Sequence, residues 1–273
     1  MSQQFQHQIR QNKILSILPE PLVAGMNLEL VELSAGQVLA DVGQDLQHVY
    51  FPLTSIVAWM KMLENGNTIG VAMLGRQGMV SLFAMLTGRH NRNFRAVVQI
   101  GGHALRASLQ TAHRVVQSDT CCGNSQLMRY ADMRMATVAQ NSLCMRNHTL
   151  EQQLSRFFLG TLDLIEGQDF SVTHDWIAHW LGVRREAVSL AAKRLMDTGA
   201  IAYSRGRITV VDRPALEQLS CECYKALKTE EDKCYASLLV HLRESTSALT
   251  PRPSDFGSRS ASDRPPCAGP LCA

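Results

Sequence analysis

Between Thr173 and Lys193 the sequence gathers side chains whose donors and acceptors match the edges and backbone of a nucleic-acid duplex. Arg184, Arg185, Glu186, Ser189, Lys193 and Arg194 fall on the polar side of a short helical pattern, and Val188, Ala191, Leu195 and Met196 form its apolar side. A guanidinium can pair bidentately with guanine, a Glu carboxylate can accept from cytosine, and an ammonium can neutralise phosphate. A second helical pattern precedes it, with Trp176, Ile177, Trp180 and Leu181 apolar, Thr173 as N-cap, then His174, and Asp175 in the first turn. Gly182 supplies the backbone freedom for a tight turn between the two, and Gly199 stops the second. Ile177, Leu181, Val183, Val188 and Ala191 are expected to face inward, with small Ala178 letting the helices approach closely.

Residues Ile201 to Val211 follow at once and read as a two-stranded hairpin turning at Arg205-Gly206, with Ser204, Arg205 and Arg207 near the tip. Basic side chains at such a tip touch phosphates and position a protein without reading bases. The bland alternative is a helical hairpin with an ordinary solvated basic face. Core positions, turn glycine, polar helix face and basic hairpin all agree on the other reading: a winged helix-turn-helix on double-stranded DNA.

These elements need a scaffold. From Leu28 to Asp119, short apolar or alternating runs (28–33, 38–40, 48–51, 56–62, 68–74, 94–100, 102–108) are separated by turn signals. The spacing predicts a β-sandwich or small barrel. Asn65-Gly66 between two of the runs predicts a type I′ hairpin turn. A short helix is expected over Asn12–Pro19, and another over Met79–Leu86. From Asn124 to Thr149 there is neither Pro nor Gly. There Met128, Ala131, Met135, Val138, Ser142 and Met145 recur at steps of three and four, the stripe of a long helix. That stripe is either a dimer seam or the face on which the helix packs against its own domain. Short helices are expected over Pro214–Leu227 and Asp232–Leu242, and a disordered tail from Ser245. The division is 12–118 for the β domain, 119–149 for the long helix, 150–228 for the winged helix-turn-helix and 245–273 for the tail.

The chain has 273 residues, 45% hydrophobic and 19% charged, with a formal net charge of +3. A core is affordable, but so small a charge excludes any argument for nucleic acid from net charge alone. No apolar run approaches the ~18 residues that span a bilayer, and the Gln-rich start lacks a secretory pattern, so no membrane and a cytoplasmic location are expected. The 8 cysteines include no Cys-x-x-Cys pair. Their spacing reads as free thiols, some buried, with no metal site and no cofactor.

Leu181-Gly182-Val183-Arg184-Arg185-Glu186-Ala187-Val188 resembles the recognition-helix signature of the Crp/Fnr family, and the resemblance extends over Asn12 to Tyr224. The Tyr203–Val210 hairpin and Cys221-Glu222-Cys223-Tyr224 also resemble a subgroup of such regulators. The resemblance implies an α+β chain with an N-terminal β jelly roll of the cyclic-nucleotide-binding type, a long dimerisation helix and a C-terminal winged helix-turn-helix. It further implies base contacts for Arg185 and Glu186 and phosphate contacts for Thr173 and His174. A later base-reading arginine of the family falls on Leu190, which puts the family's usual target sequence in doubt. Leu190 either meets a thymine methyl or faces the protein.

Cyclic-nucleotide members carry a Gly-Glu pair and, later, Arg-Ser or Arg-Thr. Gly78 to Ala84 has no acidic residue and Arg95 is followed by Ala96, so cyclic nucleotide is not expected. The first cysteine, Cys121, lies too late for an N-terminal iron–sulfur motif, and none of His48, His90, His103, His113 or His148 is marked as a haem ligand. The expected function is a homodimeric, sequence-specific transcription regulator, not an enzyme. An unidentified small-molecule effector and an RNA polymerase contact remain open as partners. Two alternatives stay beside it: a cupin-like metal-dependent enzyme, which lacks a His-x-His cluster, and an effector-independent DNA-binding protein.

Overall fold

Asn12 sets the first elements in place. Helix α1 (Gln3–Gln11) leads into α2 (Lys13–Ile17), where the Asn12 side-chain oxygen accepts from the backbone of Ile14 and Leu15. Its amide nitrogen donates to the carbonyls of Pro52 and Gly78 at 2.9 Å, so one buried cap ties the N-terminus to the β domain. The computed structural model describes residues 3–64, 66–88, 94–118, 123–165, 167–204 and 206–249. Arg205, His90, Cys121 and Cys122 lie outside them, as does the expected tail from residue 250.

After α3 (Glu20–Gly25) come β1 (Glu29–Leu33), β2 (Val38–Ala40), β3 (His48–Pro52), β4 (Ile56–Met62) and β5 (Thr68–Leu74). Helix α4 (Leu82–Thr87) then precedes β6 (Phe94–Ile100) and β7 (Gly102–Ser108). The strands form two antiparallel sheets, β1-β7-β3 and β2-β6-β4-β5. Their facing residues, among them Leu33, Tyr50, Val57, Leu74, Val98 and Ala104, make one buried cluster. The opposite face of β3 and β7, with Val49, Phe51 and Leu105, packs under the N-terminal helices and α5 (Leu109–Ser118). The β4–β5 turn differs from the expected type I′. Leu63 N–H donates to Asn67, and Gly66, at φ 84°, donates to Leu63. The loop thus closes over three residues with a left-handed glycine, the bulged form of a tight hairpin.

Helix α6 (Gly123–Asn147) runs from this β domain, in the place of the sensor domain that the resemblance implies, to the C-terminal domain. The expected stripe divides on it. Met128 and Met135 are 57% and 58% exposed and Ser142 is exposed, whereas Ala131 is buried in the sensor core. Val138 and Met145 are half-buried. The packing reading therefore holds for Ala131, whose face is used within the chain, while Met128, Met135 and Ser142 are left in solvent.

The C-terminal domain starts at α7 (Leu150–Leu162), opened by a Thr149–Gln152 capping box. Then come β8 (Asp169–Ser171), α8 (His174–Leu181), α9 (Arg185–Asp197), β9 (Ile201–Ser204), β10 (Arg207–Val210) and α10 (Arg213–Leu219). The small sheet has the order β8-β10-β9. Phe157, Phe158, Phe170, Ile177, Val188, Leu195 and Ile208 fill the core beneath it.

The end of the chain departs from expectation. A continuous α11 (Cys223–Leu249) replaces the two short helices, and residues 245–249 extend it where a disordered tail was expected. It packs along α6 and reaches the sensor domain, where the Tyr235 hydroxyl donates to the Gln77 carbonyl and Lys13 Nζ lies 4.7 Å from the Tyr235 ring. Tyr235 and Leu238 enter the sensor core. That burial, together with the Arg134–Glu231 pair at 3.8 Å, is what keeps so charged a segment helical and docked.

Candidate nucleic-acid interface

The Thr173 hydroxyl caps α8 by accepting from Trp176 N–H. Gly182 ends the helix at φ 67°, a conformation costly for other residues, and its N–H returns to Ala178 O. Arg184 then starts α9 without a side-chain cap. Ile177, Leu181, Val188 and Ala191 are at most 4% exposed, as their spacing required. Val183 departs from expectation at 36%, because it lies in the turn itself, before α9 begins. Leu190 is 53% exposed and so does not face the protein interior.

Arg184, Arg185, Glu186 and Lys193 are all exposed on α9. Arg185 Nε stands 3.5 Å from Asp175, with both side chains at least 60% exposed. Such a pair is worth at most about 1 kcal/mol, too little to hold the guanidinium back from a stronger bidentate partner. Arg194, by contrast, is engaged with Glu151 at 2.5 Å. Ser189 is half-buried, donates to the Arg185 carbonyl and has its Oγ 2.9 Å from His174 Nδ1. His174 also stacks on Tyr203, with ring centroids 4.4 Å apart and planes 13° from parallel. This contact between the first helix and the wing had no signal in the sequence. Burial, then the positive Arg185, hold the His174 imidazole below its ordinary range, while Asp175 acts the other way.

On the wing, Ser204 and Arg207 are exposed and Arg207 is paired with Asp169. Arg205 lies outside the described residues. Thr173, Arg184, Arg185, Glu186 and Lys193 are thus exposed, while half-buried His174 joins the first helix to Ser189 and to Tyr203 of the wing.

The sensor domain reaches this region. The Trp180 indole lies against Gly70 of β5, and Ala58 and Met60 of β4 join the core of the C-terminal domain. A groove lined by Lys61, Asn67 and Ile69 on one side has Asp175, Arg184 and Arg185 on the other. Asn141 of α6 donates to Val71 of β5 at 2.8 Å and accepts from Arg156 of α7 at 2.7 Å.

Inside the sensor domain, a cavity of about 50 Å³ is lined by Trp59, Phe83, Phe94, Tyr130 and Arg134, among others. Trp59 stacks on Phe94 at 4.2 Å. Arg95 points to Asp41 instead, at 3.5 Å. Among the described residues, no helix is long and apolar enough to cross a membrane.

A β-rich sensor joined by a long helix to a helix-turn-helix with a wing sheet defines a class of DNA-binding regulators. Residues 152–219 match the Crp-like helix-turn-helix domain. The chain is 24% identical over 221 residues to the global nitrogen regulator of Synechococcus elongatus, covering 76% of this chain and 97% of that one. Its fold is similar to a putative Crp/Fnr-family transcriptional regulator from Eubacterium rectale (TM-score 0.61, 15% identity, 77% of this chain and 98% of that chain). It is also similar to FixK2 from Bradyrhizobium japonicum (TM-score 0.60, 16% identity, 71% and 98%). The C-terminal domain is thus a Crp-like helix-turn-helix, and the chain as a whole has the fold of Crp/Fnr-family regulators.

Proposed function

We propose that this regulator is a homodimer that reads a roughly palindromic DNA site through α9, with base contacts from Arg185 and Glu186. The observation that carries the reading is the exposed set Arg184, Arg185, Glu186 and Lys193 on a helix held by a fully packed apolar face. Thr173, His174, Ser189, Ser204, Arg205 and Arg207 supply phosphate contacts and support around it. Leu190, exposed on the same helix, is placed to meet a thymine methyl.

Dimerisation is assigned to the outer face of α6, where Met128, Met135 and Ser142 repeat every seven residues and leave two large apolar side chains in solvent. The sensor adjusts the recognition helices through β5, which packs directly on α8, and through β4, whose Ala58 and Met60 join the same core. Its effector is not a cyclic nucleotide. Gly78 to Ala84 carries no carboxylate for a ribose hydroxyl, and Arg95, the candidate phosphate partner, is paired with Asp41.

The reading is tested by sedimentation of the protein with promoter fragments and with short duplexes of single half-sites. Two chains per full site, with half-sites about one helical turn apart, is the expected result. A single chain bound with equal affinity to both would overturn the dimer.

A further inference from the structure

Cys144 lies near the C-terminal end of α6 and His148 one turn later, while Cys221 and Cys223 flank Glu222 at the start of α11. The fold brings these two distant pairs together. Three Sγ atoms and one imidazole nitrogen all lie within 4.8 Å of one another. Cys144 Sγ is 3.5 Å from Cys221 Sγ, and Cys223 Sγ is 3.6 Å from His148 Nδ1. A zinc-class ion bound at about 2.3 Å by sulfur and about 2.0 Å by nitrogen gives a tetrahedron with sulfur–sulfur edges of ~3.8 Å and sulfur–nitrogen edges of ~3.5 Å. The sulfur–nitrogen distance matches its edge, and the sulfur–sulfur distance is about 0.3 Å short of its own.

We propose that Cys144, His148, Cys221 and Cys223 hold one four-coordinate zinc-class ion that clips the end of the long helix to the DNA-binding domain.

The surroundings are those of a built site. The three cysteines are at most 3% exposed and form a cluster of their own. His148 presents Nδ1 inward while its Nε2 stands 3.2 Å from Glu222, the carboxylate partner that fixes the orientation of a ligating imidazole. Gln140 Nε2 donates to Cys223 Sγ at 3.0 Å, a bond that favours thiolate. Thiolates with imidazole select zinc over magnesium or calcium, and four protein ligands leave no open position, so the ion is structural rather than catalytic. A four-iron cluster places its thiolates on separate irons, farther apart than a single ion's ligands. On binding, the three thiols release their protons to solvent and the imidazole binds neutral. His148 lies between Asn147, where α6 ends, and Thr149, which caps α7, so the ion spans the joint between the long helix and the winged helix.

The test uses the full chain purified from zinc-supplemented cells, its metal content measured before and after chelation under reducing conditions. The expected content is about one zinc per chain, lost in Cys223→Ser and kept in the conservative His148→Cys. Cobalt added to the chelated wild type should give the intense visible bands and thiolate charge-transfer absorption of a tetrahedral site, and zinc should raise the melting temperature. Metal below about a tenth of an equivalent after reconstitution would overturn the proposal, as would octahedral cobalt or an unchanged melting temperature. A Cys144–Cys221 disulfide in protein that takes up no metal even when reduced would overturn it in favour of a thiol pair. None of these readouts involves DNA, so failure here leaves the DNA-binding reading standing.

Discussion

Trp180, on the first helix of the helix-turn-helix, lies against Gly70 of sensor strand β5 so closely that a Cβ added at residue 70 would stand 2.1 Å from the indole. The ring is rigid and set in the core of the C-terminal domain, so it cannot swing aside cheaply. Gly70→Ala is expected to lower stability by about 1–3 kcal/mol, the usual cost of overpacking, or to part the two domains. Denaturant titration with probes in each domain checks this. Coincident transitions at the wild-type midpoint would show that the contact carries no coupling.

Lys193 is exposed on α9, and a lysine there contributes mainly by releasing counterions from phosphate. Lys193→Ala should weaken binding to all sequences alike and reduce the slope of log affinity against log salt by about one. A change in sequence preference with an unchanged slope would instead make Lys193 a base-reading residue.

His174 gives a pH dependence of definite sign. Its imidazole is held below the ordinary value of 6.5 by burial first and by Arg185 second. The unfolded chain therefore binds the proton before the folded one does. The stability contributed by neutral His174 is complete above about 6.5 and is lost as pH falls through its lower folded value. His174→Gln should show a shallower loss of urea midpoint below that pH. Parallel curves for the two proteins would remove His174 from the acid response.

Met128 and Met135 are exposed within a single chain, so charging them leaves its core intact. Met128→Glu together with Met135→Glu should convert a two-chain species to a one-chain species in sedimentation, with little change in melting of the isolated fold. A dimer that persists would place the partner on another surface.

The strands and the helix-turn-helix were legible because their signals are local. Alternation within each run, Gly182 at the turn and the spacing of Ile177, Leu181, Val188 and Ala191 each need only a few neighbouring residues. What depended on tertiary contact was not legible. Tyr224, Leu227, Tyr235 and Leu238 form the inner stripe of α11, but the charged stretch from Lys228 to Lys233 obscures it until α6 and Gln77 are placed opposite. The cysteines were read by spacing along the chain, which showed no four-ligand pattern. A helical Cys144–His148 step and a Cys221–Cys223 turn become one cluster only when folding joins them. Part of the α6 stripe was likewise claimed by the chain's own core, as Ala131 shows.

Selection of sites from random duplex DNA, by the wild type and by the Arg185→Ala, Glu186→Ala double variant, tests the central claim most directly. The wild type is expected to select a palindromic motif, with preference at the contacted positions relaxed by about 1–3 kcal/mol per lost base contact in the variant. An identical motif at equal strength from both proteins would contradict it.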